Sequence, residues 1–353
     1  MSEQQPEKPA WMVAYEKKLA TWNAARQARP PAPDVPKIAP DETVMMPMRD
    51  GVRLFTELHF PKVGEGPFPT ILIRTPYPDT TQPFSMAPIE LFSSAGYMVA
   101  TQSCRGAWKS EGMFRFFQNE PEDGYDCIEW IAEQPWSNGK VGMWGVSYIG
   151  STQWLAARMR PPHLTCIAPL SPGGMFFYET PYIGGALFKW HLMCWPKMVA
   201  CHTWDEMEFD YFSEERPAEG SPLYTALKQS PNIEAVKSWH NGDFVEAMLE
   251  PLEHPTRDDW WDRIMLKPET AADIDIPVFA ITGFYDFDQV GCLYNWDLVE
   301  AHGDAGRGKR HLLVGPWRHY RVTSGQTVPV GKLTFGDNGN VPMPQVILDF
   351  FDA

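Results

Sequence analysis

The sequence predicts an α/β fold, a mostly parallel sheet covered by helices on both faces and interrupted by an inserted helical lid. Three observations predict it. Short apolar runs alternate with amphipathic stretches along most of the chain, the pattern of a parallel sheet buried on both faces. One long Trp- and Met-rich block breaks that alternation. Finally, 44% of the 353 residues are hydrophobic and 21% are charged, enough apolar material for a sizeable core.

Taken in order, residues 1–40 read as an N-terminal arm. Trp11, Tyr15, Leu19 and Trp22 recur at helical spacing over residues 11–27, and Arg29-Pro30-Pro31-Ala32-Pro33 ends that helix as a stiff linker. Residues 41–172 read as the first part of the core. Runs at 44–48 and 52–58 flank Arg49-Asp50-Gly51, whose Asp-Gly pair signals a hairpin. Strands follow at 68–74, 96–101 and 140–145, with helices around 89–95 and over 120–133. Residues 173–270 form the inserted block, helical over 188–200, 233–239 and 243–249, a position from which it covers the strand ends. Residues 271–353 return to the core with strands at 277–283 and 311–315.

Composition excludes several classes. The chain carries 30 basic against 45 acidic residues, a net charge of −15, which opposes binding to a phosphate backbone. No apolar run approaches the 18 or more residues of a membrane span. Six cysteines without a C-x-x-C pair suggest neither a disulfide framework nor a zinc site. With no signal-peptide pattern at the polar start, a reducing, cytoplasmic setting is the expectation. Neither a metal nor an organic cofactor is expected.

The chemistry centres on Gly145-Val146-Ser147-Tyr148-Ile149-Gly150, a G-x-S-x-x-G run between an expected strand and an expected helix over 148–157. A sharp strand-to-helix turn lifts a serine oxygen clear of the sheet and aims the helix N-terminus at a developing oxyanion. A nucleophilic serine needs a base, and the base an acid to orient it. The strand ending at Gly283 runs into Phe284-Tyr285-Asp286-Phe287-Asp288. Either carboxylate there suits the role, and Asp286 lies nearer the strand end. Of the later histidines, His302 closes a helix and His311 begins a strand at the wrong end of the sheet. His319 follows the last strand on the active edge.

These pieces resemble one family, the cocaine esterase, α-amino-acid ester hydrolase and X-Pro dipeptidyl-peptidase group of α/β-hydrolases. The resemblance is carried by Met48-Arg49-Asp50-Gly51-Val52-Arg53-Leu54, Arg74-Thr75-Pro76-Tyr77, Arg105-Gly106 with Ser110-Glu111-Gly112, Glu122-Asp123-Gly124-Tyr125-Asp126, Gln134-Pro135-Trp136, residues 142–150, Gly283-Phe284-Tyr285-Asp286 and Gly315-Pro316-Trp317-Arg318-His319. It implies Ser147 as nucleophile, His319 as base and Asp286 as its partner, with an oxyanion hole from the Tyr77 hydroxyl and the Tyr148 backbone N–H. The implied reaction is cleavage of a small-molecule ester or amide through an acyl-enzyme.

The resemblance also implies carboxylates that bind a substrate α-ammonium. Asp288 stands at a matching place, Gln289 replaces another, and Glu179 is a second member by position. Trp144 is counted with these substrate-binding residues, and lid residues Phe176, Phe177, Tyr178, Trp190, Trp195 and Trp204 suggest an apolar or aromatic acyl group. Arg105 and Glu111 are read as a loop-bracing ion pair. Relatives usually continue into a β jelly roll after the segment resembling residues 345–351, so a second copy or another chain is expected to cover the C-terminal flank. Two other readings are a catalytically silent binding protein on the same fold and an acyltransferase using the same triad.

Overall fold

The computed structural model describes residues 38–77, 83–200, 217–240 and 245–353, together with positions 13, 16, 17 and 20. Those four isolated positions are helical. Trp11, Tyr15, Leu19, Trp22, the Pro-rich linker, Cys201 and Trp204 lie outside the described residues. No helix among the described residues is long and apolar enough to cross a membrane.

The sheet is built from β1 (Glu42–Pro47), β2 (Arg53–His59), β3 (Phe68–Thr75), β4 (Met98–Ser103), β5 (Ser137–Val146), β6 (Leu164–Leu170), β9 (Val278–Tyr285) and β10 (Arg310–Arg318). Its spatial order is β1-β2-β4-β3-β5-β6-β9-β10. The β1–β2 hairpin turns at Gly51, whose φ of +85° is open to glycine at no steric cost. β2 pairs antiparallel with β4, and from β4 onward every neighbouring pair is parallel. This is the mostly parallel sheet that the sequence predicts. It points the C-terminal ends of β3, β5, β6, β9 and β10 to one edge.

β6 is the strand that sequence periodicity passes over. Pro169 sits inside it, and a proline in an apolar run normally argues against a central strand because it cannot donate to the ladder. Here Pro169 lies opposite Gly145 in the register.

Helices Pro83–Ser94, Glu120–Ala132, Tyr148–Ala157 and Gln289–His302 pack against the sheet. One apolar cluster includes Leu72, Met98, Met143, Ile167 and Val278. A second includes Ile71, Val99, Trp144, Ala168 and Ile281. Successive residues of β3, β4, β5 and β6 thus alternate between the two clusters, as strand geometry demands. That alternation corrects the reading of Trp144. It lies in β5, 5% exposed, edge-on to Phe92 with centroids 6.1 Å apart, and belongs to the core rather than the site.

Between β6 and β9 lies the block expected as a lid. It contains Phe176–Glu179, a two-stranded hairpin, β7 (Tyr182–Ile183) with β8 (Ala186–Leu187), and helices Lys189–Ala200, Pro222–Lys228, Asn232–His240 and Val245–Glu253. A third apolar cluster joins it to the main body, including Phe117, Tyr148, Phe176, Trp195 and Trp261.

A second correction concerns Arg105 and Glu111. Arg105 pairs instead with Asp50 at 2.7 Å and Asp123 at 2.5 Å, and Glu111 pairs with Arg53. Arg105 and Asp123 are both buried, so the guanidinium is balanced by an acid at its own depth, while Asp50 pairs with it from the exposed side.

Candidate active site

The turn after β5 is strained in the way a nucleophile elbow requires. Ser147 has φ 63° and ψ −128°, a left-handed backbone that non-glycine residues rarely hold. Its N–H donates to the Leu170 carbonyl at 2.9 Å, tying the turn to the end of β6. Gly145 makes the turn feasible. Its φ is +152°, and a Cβ there would stand 2.1 Å from Ile149 Cγ2. Gly150 lies under the same constraint, since a Cβ would meet the Leu170 carbonyl oxygen at 2.8 Å. The late second glycine therefore has a physical reason: Ile149 fills the space over Gly145, and the close approach to β6 falls one residue later.

Tyr148 opens the helix Tyr148–Ala157, so its N–H belongs to the first turn, where no intrahelical acceptor exists. Its side chain is held on several sides. The phenol donates to Glu120 Oε1 at 2.9 Å, and the ring stacks on Phe117 with centroids 3.9 Å apart. Glu120 in turn pairs with Arg74 at 2.6 Å, both fully buried.

Asp286 follows β9 directly and is buried. Its Oδ1 lies 2.7 Å from His319 Nδ1 and accepts the Asp288 N–H at 3.0 Å, and its Oδ2 accepts the Thr282 hydroxyl at 3.0 Å. Burial pushes this carboxyl up, but the adjacent His319 and its hydrogen bonds prevail and hold it below the ordinary value. With Nδ1–H donated to Asp286, the acceptor lone pair of the imidazole sits on Nε2. His319 is buried in a single 3-10 turn just past β10, as the strand-edge argument requires.

Tyr77, just past β3, closes the other side. Its hydroxyl shares a hydrogen bond with the Ser147 side chain and accepts the Trp195 indole N–H at 3.3 Å. Burial pushes the phenol up to about 12, so it stays protonated and remains a donor at neutral pH.

Asp288 and Glu179 are neither solvated nor peripheral. Burial, then Glu179, then Asp286 push Asp288 well above the usual carboxylate range. Glu179 is pushed up to about 8, mainly by burial, although the Gly174 N–H donates to its Oε1 at 2.7 Å. Asp288 Oδ2 also lies 3.8 Å from His319 Nδ1. Glu179 reaches this point through a slot without side chains: a Cβ on Gly291 would meet its Oε1 at 2.3 Å and the Gly174 nitrogen at 2.2 Å. His191 comes from the inserted block, held down to about 3 by burial and by the nearby His319.

Ser147, Tyr77, Tyr148, Asp286, Asp288, Glu179 and His319 thus belong to one connected neighbourhood, from which Trp144 is absent. Sequence reasoning missed Thr282, Glu120, Arg74 and His191. The one available signal was the placement of His191 four residues before Trp195, on the same helix face.

Residues 50–321 match the X-Pro dipeptidyl-peptidase (S15) family. The chain belongs to that family. Among curated relatives of this S15 chain, the cocaine esterase of Rhodococcus sp. (strain MB1 Bresler) is 32% identical over 301 residues, 79% of this chain and 49% of that protein. The chain therefore spans about half the length of this relative. Among solved structures, an α-amino acid ester hydrolase superimposes with a TM-score of 0.66 at 26% identity, covering 92% of this chain and 57% of that one. An aminopeptidase from a marine sediment Thaumarchaeota archaeon gives a TM-score of 0.70 at 22% identity over the same shares, a likeness of fold.

Proposed function

We propose that this S15 chain is a serine hydrolase that cleaves an ester or amide through an acyl-enzyme on Ser147. The observation that carries the reading is the strained Ser147 elbow, hydrogen-bonded to Tyr77, in the same site as the 2.7 Å His319–Asp286 pair. His319 Nε2 takes the Ser147 proton as Oγ attacks the carbonyl carbon. The Tyr77 hydroxyl and Tyr148 N–H donate to the oxyanion, each worth roughly 3–4 kcal/mol. The imidazolium, stabilised by Asp286, then protonates the leaving alcohol or amine as the tetrahedral adduct collapses. Water, activated by the same imidazole, releases the acid. The test is labelling by a fluorophosphonate probe: wild type labels, and Ser147→Ala and His319→Ala do not. A folded wild type that fails to label supports the silent binding protein instead.

Asp288 and Glu179 support a preference for substrates with an α-amino group. Glu179 Oε2 is buried and makes no hydrogen bond among the described residues, and a bound ammonium would favour release of the proton that burial keeps on this acid and pair with the resulting carboxylate. Charge-assisted bonds of this kind contribute about 1.5–3 kcal/mol each. A paired comparison of kcat/KM for an α-amino ester and its des-amino analogue, in wild type and in Asp288→Asn, tests it. Equal values for the pair in wild type leave a neutral-ester hydrolase.

A further inference from the structure

Trp195 stands on the helix Lys189–Ala200 of the inserted block, 5% exposed, and its side chain meets the side chains of both residues that supply the proposed oxyanion donors. Its indole N–H donates to the Tyr77 hydroxyl at 3.3 Å, and its ring meets the Tyr77 ring edge-on with centroids 6.4 Å apart. The same indole lies 16° from parallel to the Tyr148 ring, centroids 5.6 Å apart. Tyr77 comes from the end of β3 and Tyr148 from the elbow after β5, so a single lid side chain spans two core elements.

From this we infer that Trp195 is a positioning residue for the oxyanion hole, through which the lid helps to assemble the catalytic machinery. The inference rests on the proposed hydrolase reading. A phenol oxygen that accepts one hydrogen bond has its remaining geometry restricted, and its own O–H becomes a better donor because linked hydrogen bonds polarise one another. With the indole N–H on one lone pair, the Tyr77 proton is turned away from the lid, toward the Ser147 side with which the hydroxyl already shares a hydrogen bond. Stacking acts on the other donor. Tyr148 is anchored at its phenol by Glu120 and on its ring by Phe117 and Trp195, and the backbone N–H that faces the oxyanion belongs to that same residue. Oxyanion donors matter through exact placement, so small losses of orientation are read directly in kcat.

Trp195→Phe keeps an aromatic ring and removes the N–H. With an aryl ester, kcat is expected to fall about 3- to 10-fold, the range of one neutral hydrogen bond, while KM changes less than about 2-fold. The same substitution in a Tyr77→Phe background should produce little further loss, since the N–H then has no acceptor. Equal losses in both backgrounds, or a change confined to KM, would overturn the inference and make Trp195 a wall of the acyl pocket. A second measurement does not depend on that variant folding. The indole ¹H–¹⁵N resonance of Trp195 in otherwise intact protein should shift on Tyr77→Phe, and an unchanged resonance also overturns it. Absence of fluorophosphonate labelling in wild type brings down the hydrolase reading as well. Labelling with additive losses brings down only this inference.

Discussion

The Phe287 ring lies against the His319 imidazole, centroids 4.2 Å apart and planes 24° from parallel. Asp286 fixes one edge of the imidazole while Phe287 covers a face, so the ring is restrained in two directions. Phe287 is itself 40% exposed, so little core packing depends on it. Stacked aromatic pairs contribute about 0.5–1.5 kcal/mol beyond area burial. Phe287→Leu should therefore lower kcat several-fold and leave the melting temperature nearly unchanged, as steady-state kinetics and calorimetry can check.

A buried pair beneath the elbow should matter for stability first. Arg74 and Glu120 are both almost fully buried and 2.6 Å apart, and Glu120 also anchors the Tyr148 phenol. Arg74→Met strands that carboxylate and should destabilise the fold by about 3–5 kcal/mol. Urea unfolding measures it. A shift of less than 1 kcal/mol, on the order of a surface ion pair, would contradict the expectation.

Glu179 should make stability depend on pH. Its folded value of about 8 lies above its ordinary value of 4.5, so between those limits the native state holds a proton that the unfolded chain has released. Stability must then fall as pH rises through that window and level off above about 8. Glu179→Gln cannot ionise, and a glutamine oxygen can still accept the Gly174 N–H. Its melting temperature should drop less than that of wild type between pH 5.5 and 8.5. The same variant should lose any preference for α-amino substrates.

Thr282→Val removes the hydroxyl that donates to Asp286 Oδ2 while keeping the shape of the side chain. A buried, charged group loses one of its hydrogen bonds, a loss of roughly 1–3 kcal/mol. The expected outcome is a lower melting temperature together with reduced kcat, because Asp286 orients His319.

Much of this site was legible in the sequence because it depends on order and place. Ser147, Asp286 and His319 each follow a strand at its C-terminal end, and short apolar runs mark strands well. What escaped depends on three-dimensional neighbours. Pro169 disguised β6, since its partner across the ladder cannot be read locally. Trp144 belongs to the same motif as Ser147, but strand alternation turns it into the core. Arg105 and Glu111 are close in sequence, yet each finds another partner. Glu179 was placed with Asp288 by position, but its burial could not be read locally, since it depends on the side-chain-free slot at Gly174 and Gly291.

The inserted block has one more consequence. Ser147 lies on the β5–β6 side of it and Asp286 and His319 on the β9–β10 side, and the two sides meet through the parallel pairing of β6 with β9. A polypeptide divided within the block would yield two fragments, one carrying Ser147 and the other Asp286 and His319. On the proposed reading neither labels alone, and labelling recovered on mixing reports fragment complementation.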